Sequence, residues 1–441
     1  MKGIFCKKWV MLLGLLPLSM QAQEAVNLDL TLDKAIELAL ADNPTMKVAE
    51  EEIELKKIAD KEAWQNLLPT VTGTISSQYA ITVAQVKMGG QTFKMGQDKT
   101  NTMAGVLTVS IPVYAPQVYK MMKMTKDDIK LAEEKARSSK LDLVNQVTKA
   151  YYGLMLAQDS HHVLQKSMQH AEENFEIVSQ KYKVGTVSEF DKISAEVQMR
   201  NIKPSVISAE NAVRLAKLRL KVLMGITADV NIVINDELEN YENAMFSRQT
   251  WGDPNDLSRN TDLRQMDWNK KMLEHNLKIQ KTAFLPTINL TGTYQQQSIA
   301  NPNFRIWDYH FSGSSNIALG ITIPIYRASN FTKLKTIRVQ MQQLDERRIN
   351  TERQLNMQAH TYLNNMQAST EQVNSNKEAM AQAQKARDIS EKRYQVGGGT
   401  MLELNSSEVA LTQSALTYCQ SIYDYLIAKS DLDYVLGNTI E

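Results

Sequence analysis

Side chains that could do chemistry are few and scattered. His161, His162 and His170 fall close together, and imidazoles at such spacing could share a metal ion. They lie in a stretch that reads as one long helix, where solvated surface histidines are the better-supported reading. Met121, Met122 and Met124 cluster, and thioethers bind soft ions such as copper(I). In a chain with 22 methionines, packing is the simpler account. Gly397-Gly398-Gly399-Thr400 hints at a phosphate loop, but no lysine follows the glycines. No His-Glu-x-x-His, nucleophile elbow or paired-cysteine metal motif occurs. These residues point away from an enzyme and imply no cofactor or metal.

The elements that must position these residues come from a chain written twice. Tyr182-Lys183-Val184-Gly185 returns as Tyr394-Gln395-Val396-Gly397, Ile111-Pro112 as Ile323-Pro324, and Leu223-Met224-Gly225 as Val435-Leu436-Gly437, all at an offset of 212. Upstream, Leu68-Pro69-Thr70 returns as Leu285-Pro286-Thr287 and Asn43 as Asn260, at an offset of 217. Two halves share one plan and differ by five residues in one loop. A period this long means a duplicated domain, not a short-repeat solenoid.

The N-terminus reads as a secretory leader over 1–22: Lys2, Lys7 and Lys8, then the apolar Trp9 to Leu18, then a small or polar exit ending at Ala22. Cys6 belongs to that leader, which leaves Cys419 as one cysteine with no internal partner and a fold held by packing. Net charge is +1 without long blocks of one sign, which argues against a nucleic-acid partner. After residue 22 no eighteen-residue apolar run occurs, so no helix spans a membrane.

Within each half the hydrophobic period switches. Residues 32–67 are helical in spacing, with Pro44 dividing them into two helices and Pro69 ending the run. Val71, Gly73, Ile75, Ser77, Tyr79, Ile81 and Val83 then alternate with Thr72, Thr74, Ser76, Gln78, Ala80 and Thr82, the period of a strand. Trp307, Tyr309 and Phe311 precede the last strand, where an interfacial aromatic girdle would sit. Each strand pair leads into a helix of about 100 Å at ~1.5 Å per residue, too long for one globular core. In the first of these, Met168, Ala171, Phe175, Val178 and Tyr182 follow the 3-4 spacing of a coiled-coil seam. The expected organisation is a first repeat over 23–225, a connector over 226–256 that includes Gly252-Asp253-Pro254, and a second repeat over 257–441. Strands are expected at about 70–83, 102–113, 287–297 and 316–325, long helices at about 116–182 and 328–394, and shorter helices at 188–225, kinked by Pro204, and 400–437.

The strands are long enough to cross a bilayer when tilted, and their polar face is small and rich in hydroxyls. Lipid offers nothing to an unpaired sheet edge, and four strands cannot close a barrel. Several chains, two or three, must therefore share one barrel, and three would supply twelve strands around an open lumen.

The order helix, Leu-Pro strand, Ile-Pro strand, long helix, Val-Gly turn and helix, performed twice after a leader, resembles the TolC-type outer-membrane efflux channels over nearly the whole chain. That resemblance implies a mainly α protomer with transmembrane β strands, and a homotrimer whose twelve-stranded β-barrel continues as a helical tunnel through the periplasm. It implies a bacterial outer-membrane location and work with a periplasmic adaptor and an inner-membrane pump. It implies that Val184-Gly185-Thr186 and Val396-Gly397-Gly398-Gly399-Thr400 are the tips where adaptor hairpins dock, glycine allowing a left-handed turn and close approach. Acidic residues early in the following helix pinch such channels; the matching positions are Asp191 and Glu403, which would form two rings that attract cations. The same carboxylates would stabilise a helix dipole, and both roles can coexist. Tyr394 matches a tyrosine that links neighbouring helices in the closed state. An arginine of that clasp is replaced by Gly399 and a second aspartate by Ser406, so the closed state is expected to be held differently. A reading of another class, a periplasmic coiled-coil adaptor or scaffold without a barrel, would carry one hairpin and a compact β module instead of two alternating strand pairs.

Overall fold

The computed structural model of the chain describes residues 27–226, 230–246 and 253–438. The leader expected over 1–22, with Cys6, lies outside those residues, as does Gly252 of the connector. Strand β1 (Asn27–Asp29) leads into helix α1 (Leu32–Asp42) and, across Asn43, helix α2 (Pro44–Gln65). Asn43 is extended at ψ 128°, as a residue before proline prefers. Strand β2 (Thr70–Ala80), a small hairpin of β3 (Gln85–Met88) and β4 (Gln91–Lys94), and strand β5 (Thr100–Tyr114) follow. β2 ends before the Val83 suggested by its alternation, where the Asp98 carboxylate accepts the Val83 N–H at 2.8 Å and the chain turns into the hairpin.

Helix α3 (Pro116–Lys183) has 68 residues and begins on proline, whose missing N–H costs nothing at that position. Helix α4 (Glu189–Met224) returns along it and continues through Pro204. The connector is small: β6 (Asn231–Val233) pairs in parallel with β1, and helix α5 (Glu242–Phe246) follows. The second half runs through α6 (Thr261–Thr282), β7 (Thr287–Asn301), β8 (Ser312–Thr322), α7 (Ala328–Gln395) and α8 (Met401–Leu436). α7 again has 68 residues, and α8 matches α4 at 36.

The four long strands form one antiparallel sheet in the order β2-β5-β7-β8. Toward the helices its register separates two chemistries. One row joins Val71, Val109, Gly292 and Ile317, and another joins Ile111, Leu290 and Leu319. On the opposite face a row joins Thr72, Thr108, Thr293 and Asn316. Apolar side chains thus share one surface, and hydroxyls and amides share the other.

Each strand continues into a helix, and the helices keep the strands' order: α2 packs on α3, α3 on α6, and α6 on α7. Further from the sheet the order becomes α4-α3-α8-α7. The protomer is therefore a strip about four elements wide along its whole length. Its margins are unfinished. Among the described residues β2 and β8 each pair on one side only. Ile193, Val197, Ile207, Leu215, Leu218 and Val222 of α4 are exposed at intervals compatible with one helical face.

The repeated Asn and Gly positions are joints between elements. Asn43 Oδ1 accepts from the Thr45 N–H at 2.8 Å, while Asn43 Nδ2 donates to the Leu223 carbonyl at 2.7 Å. Asn260 does the same, accepting from Asp262 N–H at 2.9 Å and donating to the Val435 carbonyl at 2.7 Å. Gly225 and Gly437 end α4 and α8 with φ of +68° and +72°. A Cβ on Gly225 would lie 2.8 Å from the Asp42 carbonyl oxygen, so the joint needs glycine both for its φ and for its contact. The main core sits at this level, with Tyr151, Leu154 and Met155 of α3 packed against Leu220, Met224, Ile232 and Ile422.

Candidate functional site

The two tips, at the ends of the long helices farthest from the sheet, repeat one backbone geometry. Gly185 and Gly397 adopt φ of +74° and +77°, open to positive φ only for a residue without Cβ strain. Behind each, N–H groups return to the helix: Thr186 N–H to the Lys181 carbonyl at 2.9 Å, and Gly398 N–H to the Arg393 carbonyl at 2.8 Å. Nothing lies within 4 Å of where a Cβ would sit on Gly185 or Gly397, so both turns present bare backbone to solvent. Val184 and Val396, at 74% and 83% exposure, flank them.

The two acids are engaged in capping boxes. The Ser188 hydroxyl accepts from Asp191 N–H at 3.1 Å, and the Asp191 carboxylate accepts from Ser188 N–H at 3.2 Å and from its hydroxyl at 2.7 Å. Thr400 and Glu403 repeat the pattern, with Glu403 N–H donating to Thr400 Oγ1 at 3.2 Å. Each carboxylate thus stabilises the start of its own helix. Ser/Thr three residues before an acid is a local signature of this cap, a more specific signal than the dipole. Ser406 is exposed within α8.

Tyr394 joins the two tips within one chain. Its ring is buried with Val178, Ala195, Met401 and Leu404, side chains from both halves, and the Lys181 ammonium sits 5.2 Å over it. Burial, with the charge of Asp191 adding to it, raises the pKa of its phenol. The hydroxyl is buried and makes no hydrogen bond among the described residues.

The family model of outer membrane efflux proteins matches residues 35–226 and 255–438, the two repeats in turn. The chain belongs to the outer membrane efflux protein family. It is 21% identical over 309 residues to the outer membrane protein TolC of Salmonella enteritidis, a match that covers 68% of this chain and 62% of that relative's length. Crystallised CusC superposes with a TM-score of 0.75 at 17% identity, over 93% of both chains. The Campylobacter jejuni CmeC outer membrane channel superposes with a TM-score of 0.74 at 17% identity, over 95% of this chain and 90% of its own. As an outer membrane efflux protein, this chain is an outer-membrane protein that pairs a barrel sheet with a helical periplasmic part.

This outer membrane efflux protein carries an arginine at the second tip, on the other side of the turn from Gly399. Arg393 Nη2 donates to the Gly398 carbonyl at 3.0 Å, and Nη1 lies 3.5 Å from the Glu403 carboxylate. A Cβ on Gly399 would approach Arg393 Cβ to 3.1 Å, so glycine makes room for that strap. Gly399 and Arg393 are therefore neighbours in space.

Above the tips lies a buried charge cluster of which the sequence singled out His170 alone, and as a solvated surface histidine. Glu408 on α8 accepts from Arg387 Nε on α7 at 2.6 Å, and its other oxygen lies 3.5 Å from His170 Nδ1 on α3. Glu408 and Arg387 side chains are 7% and 13% exposed. Burial pulls the Arg387 pKa down, and the hydrogen bond and charge of Glu408 outweigh it for a net rise. Both partners sit inside a polar, charge-rich helix pattern that looks solvated until the hairpin folds at Gly397. His161 and His162 line an open cleft beside the connector, and among the described residues no three His, Cys, Asp or Glu side chains could hold a metal. Cys419 lines the same cleft, where burial pushes its thiol up to about 12.

Proposed function

We propose that the protein is the exit duct of a tripartite efflux or secretion system, a passive conduit that three copies build together. The observation that carries this reading is the open strip. A two-faced sheet with unpaired margins on β2 and β8 continues into helices with an exposed apolar face on α4. In lipid each unpaired backbone group costs several kcal/mol, so the strip must meet copies of itself. Three copies bring twelve strands, with Thr72, Thr108 and Thr293 facing a wet lumen and Val71, Val109 and Ile317 facing lipid.

At the other end, Val184-Gly185-Thr186 and Val396-Gly397-Gly398-Gly399-Thr400 receive the hairpins of a periplasmic adaptor, which couples the duct to an inner-membrane pump. The bare glycine turns, open on their outer side, support that role. Asp191 and Glu403 cap their helices and, in three copies, form two acidic rings at the aperture. Tyr394 and Arg393 hold the tips in their resting arrangement.

The decisive experiment is purification in detergent. A trimer that survives detergent is expected; a folded monomer, soluble without detergent, would refute the duct. The same fractionation separates a peripheral scaffold, which salt would wash from the membrane.

A further inference from the structure

The apolar face of the sheet does not stay apolar to its outer end. Beyond Ile75, rows on that face read Ser77, Met103 and Ser298, and then Tyr79 and Asn101. Serine and asparagine bare to hydrocarbon would be costly. In this chain Asn101 and Ser298 are buried, and Ser77, still exposed, is hydrogen-bonded to Asn101. The loop of residues 302–311, between β7 and β8, folds back across its own sheet to β5 and β2. Tyr309 is its pin: its hydroxyl accepts from Asn101 Nδ2 at 2.7 Å and donates to the Asn303 carbonyl at 2.8 Å. Ser77 donates to Asn101 Oδ1 at 3.0 Å, and Ser298 to Asn301 Oδ1 at 3.1 Å. Phe304 stacks on Tyr79 with ring centroids 5.2 Å apart. The outcome is that Asn101 and Ser298 are 5% and 1% exposed.

The loop turns three large apolar side chains outward, alongside the charged Arg305 and Asp308. Trp307 is 92% exposed, and Phe304 and Ile306 are exposed beside it. A short 3-10 turn, Ile306–Asp308, fixes that arrangement, with the Tyr309 N–H bonded to the Ile306 carbonyl at 3.3 Å. Tyr309, expected among the girdle residues, faces inward instead, because its hydroxyl finds two partners beneath the loop.

We infer that residues 302–311 form an interfacial strap that completes the lipid-facing surface of the barrel and seats Trp307, Phe304 and Ile306 in the outer leaflet at headgroup depth. The strap lies on the same face as Val71, Ile75 and Ile317, at its outer end, so its surface continues the surface that meets lipid. Indole and phenyl rings prefer that boundary, where one edge is wet and the rest is not. The inference rests on the outer-membrane duct reading.

The test uses the full-length protein in vesicles of phosphatidylcholine brominated at shallow or deep acyl positions. The fluorescence lost on Trp307→Phe isolates that indole, and Ile317→Trp in the same background reports the barrel wall. Shallow bromines should quench the Trp307 signal and aqueous iodide should not, while deep bromines should quench Ile317→Trp. Quenching of Trp307 by iodide, with Ile317→Trp still quenched by lipid, would overturn the strap and leave the duct intact. An Ile317→Trp signal that no bromolipid quenches would sink the duct itself. Tyr309→Phe removes both pinning hydrogen bonds and should red-shift the Trp307 signal and open it to iodide. Full shallow quenching in that variant would overturn the pinning role.

Discussion

Cutting Arg387 away from Glu408 should loosen the helical hairpin above the second tip far more than removing both side chains. Glu408 Oε1 lies 2.6 Å from Arg387 Nε, and little of either side chain reaches solvent. In Arg387→Ala, the carboxylate keeps only His170, whose Nδ1 stands 3.5 Å away. Leaving a buried charge unpaired costs about 3–5 kcal/mol, whereas replacing the whole pair with apolar groups is about neutral. Local opening in Arg387→Ala should therefore speed hydrogen exchange by roughly 150- to 5,000-fold, at about 1.4 kcal/mol per tenfold. Amides of residues 380–395 and 401–412 are the ones to follow, by mass spectrometry on the detergent-solubilised protein. Arg387→Met with Glu408→Met should return exchange to within about tenfold of the parent. The equivalent position in the first half is Phe175, which packs against the tip cluster, so Phe175→Ala should show an ordinary packing loss that no second substitution repairs. If Arg387→Ala exchanges within tenfold of the parent, or the double variant is as loose as the single, the pair is not the buried lock that its geometry implies.

At the aperture, Asp191→Asn with Glu403→Gln keeps the capping hydrogen bonds and removes the charge; cation preference should fall in planar-bilayer recordings, and unchanged selectivity would exclude axial rings. Gly185→Trp with Gly397→Trp should abolish export while trimers persist, whereas the alanine pair, strained at the same φ but small, should export; equal behaviour of the two pairs would remove the close-approach argument. Asn43→Ala and Asn260→Ala should each cost about 0.5–2 kcal/mol as lost caps, read as faster exchange at both helix junctions, and an effect at only one would break the equivalence of the halves. Glu242 accepts from Lys377 at 2.7 Å and from Tyr418 at 2.8 Å; burial raises its pKa, and these partners outweigh it for a net fall. Its folded pKa lies below the unfolded value, so its contribution is present above about pH 4.3 and lost as pH falls through the folded value. Exchange in residues 238–246 should therefore rise in acid, and Glu242→Gln should flatten that rise.

Much of the protomer was legible because its signals are local. The change from alternation at Val71 to helical spacing after Pro116 needs only neighbouring residues, and so do the stops at Pro69 and the Val-Gly tips. The duplication showed that the second half would repeat the first. The capping boxes were also written locally, in Ser188-x-x-Asp191 and Thr400-x-x-Glu403, but helix-dipole reasoning alone does not find them. The β1–β6 pair, three residues in each strand, is too short to carry a period.

Sequence alone determined the kinds of element, their order and the chemistry of the sheet's two faces, since these follow from backbone preference and side-chain period over a few residues. Tertiary structure decided which helix stands beside which, that Glu408 meets Arg387 and His170, and that Tyr309 turns inward while Trp307 turns out. Those outcomes depend on contacts between residues as far apart as Asn101 and Tyr309. A buried polar group takes whichever partner the fold brings within hydrogen-bond reach, and no local pattern records that choice.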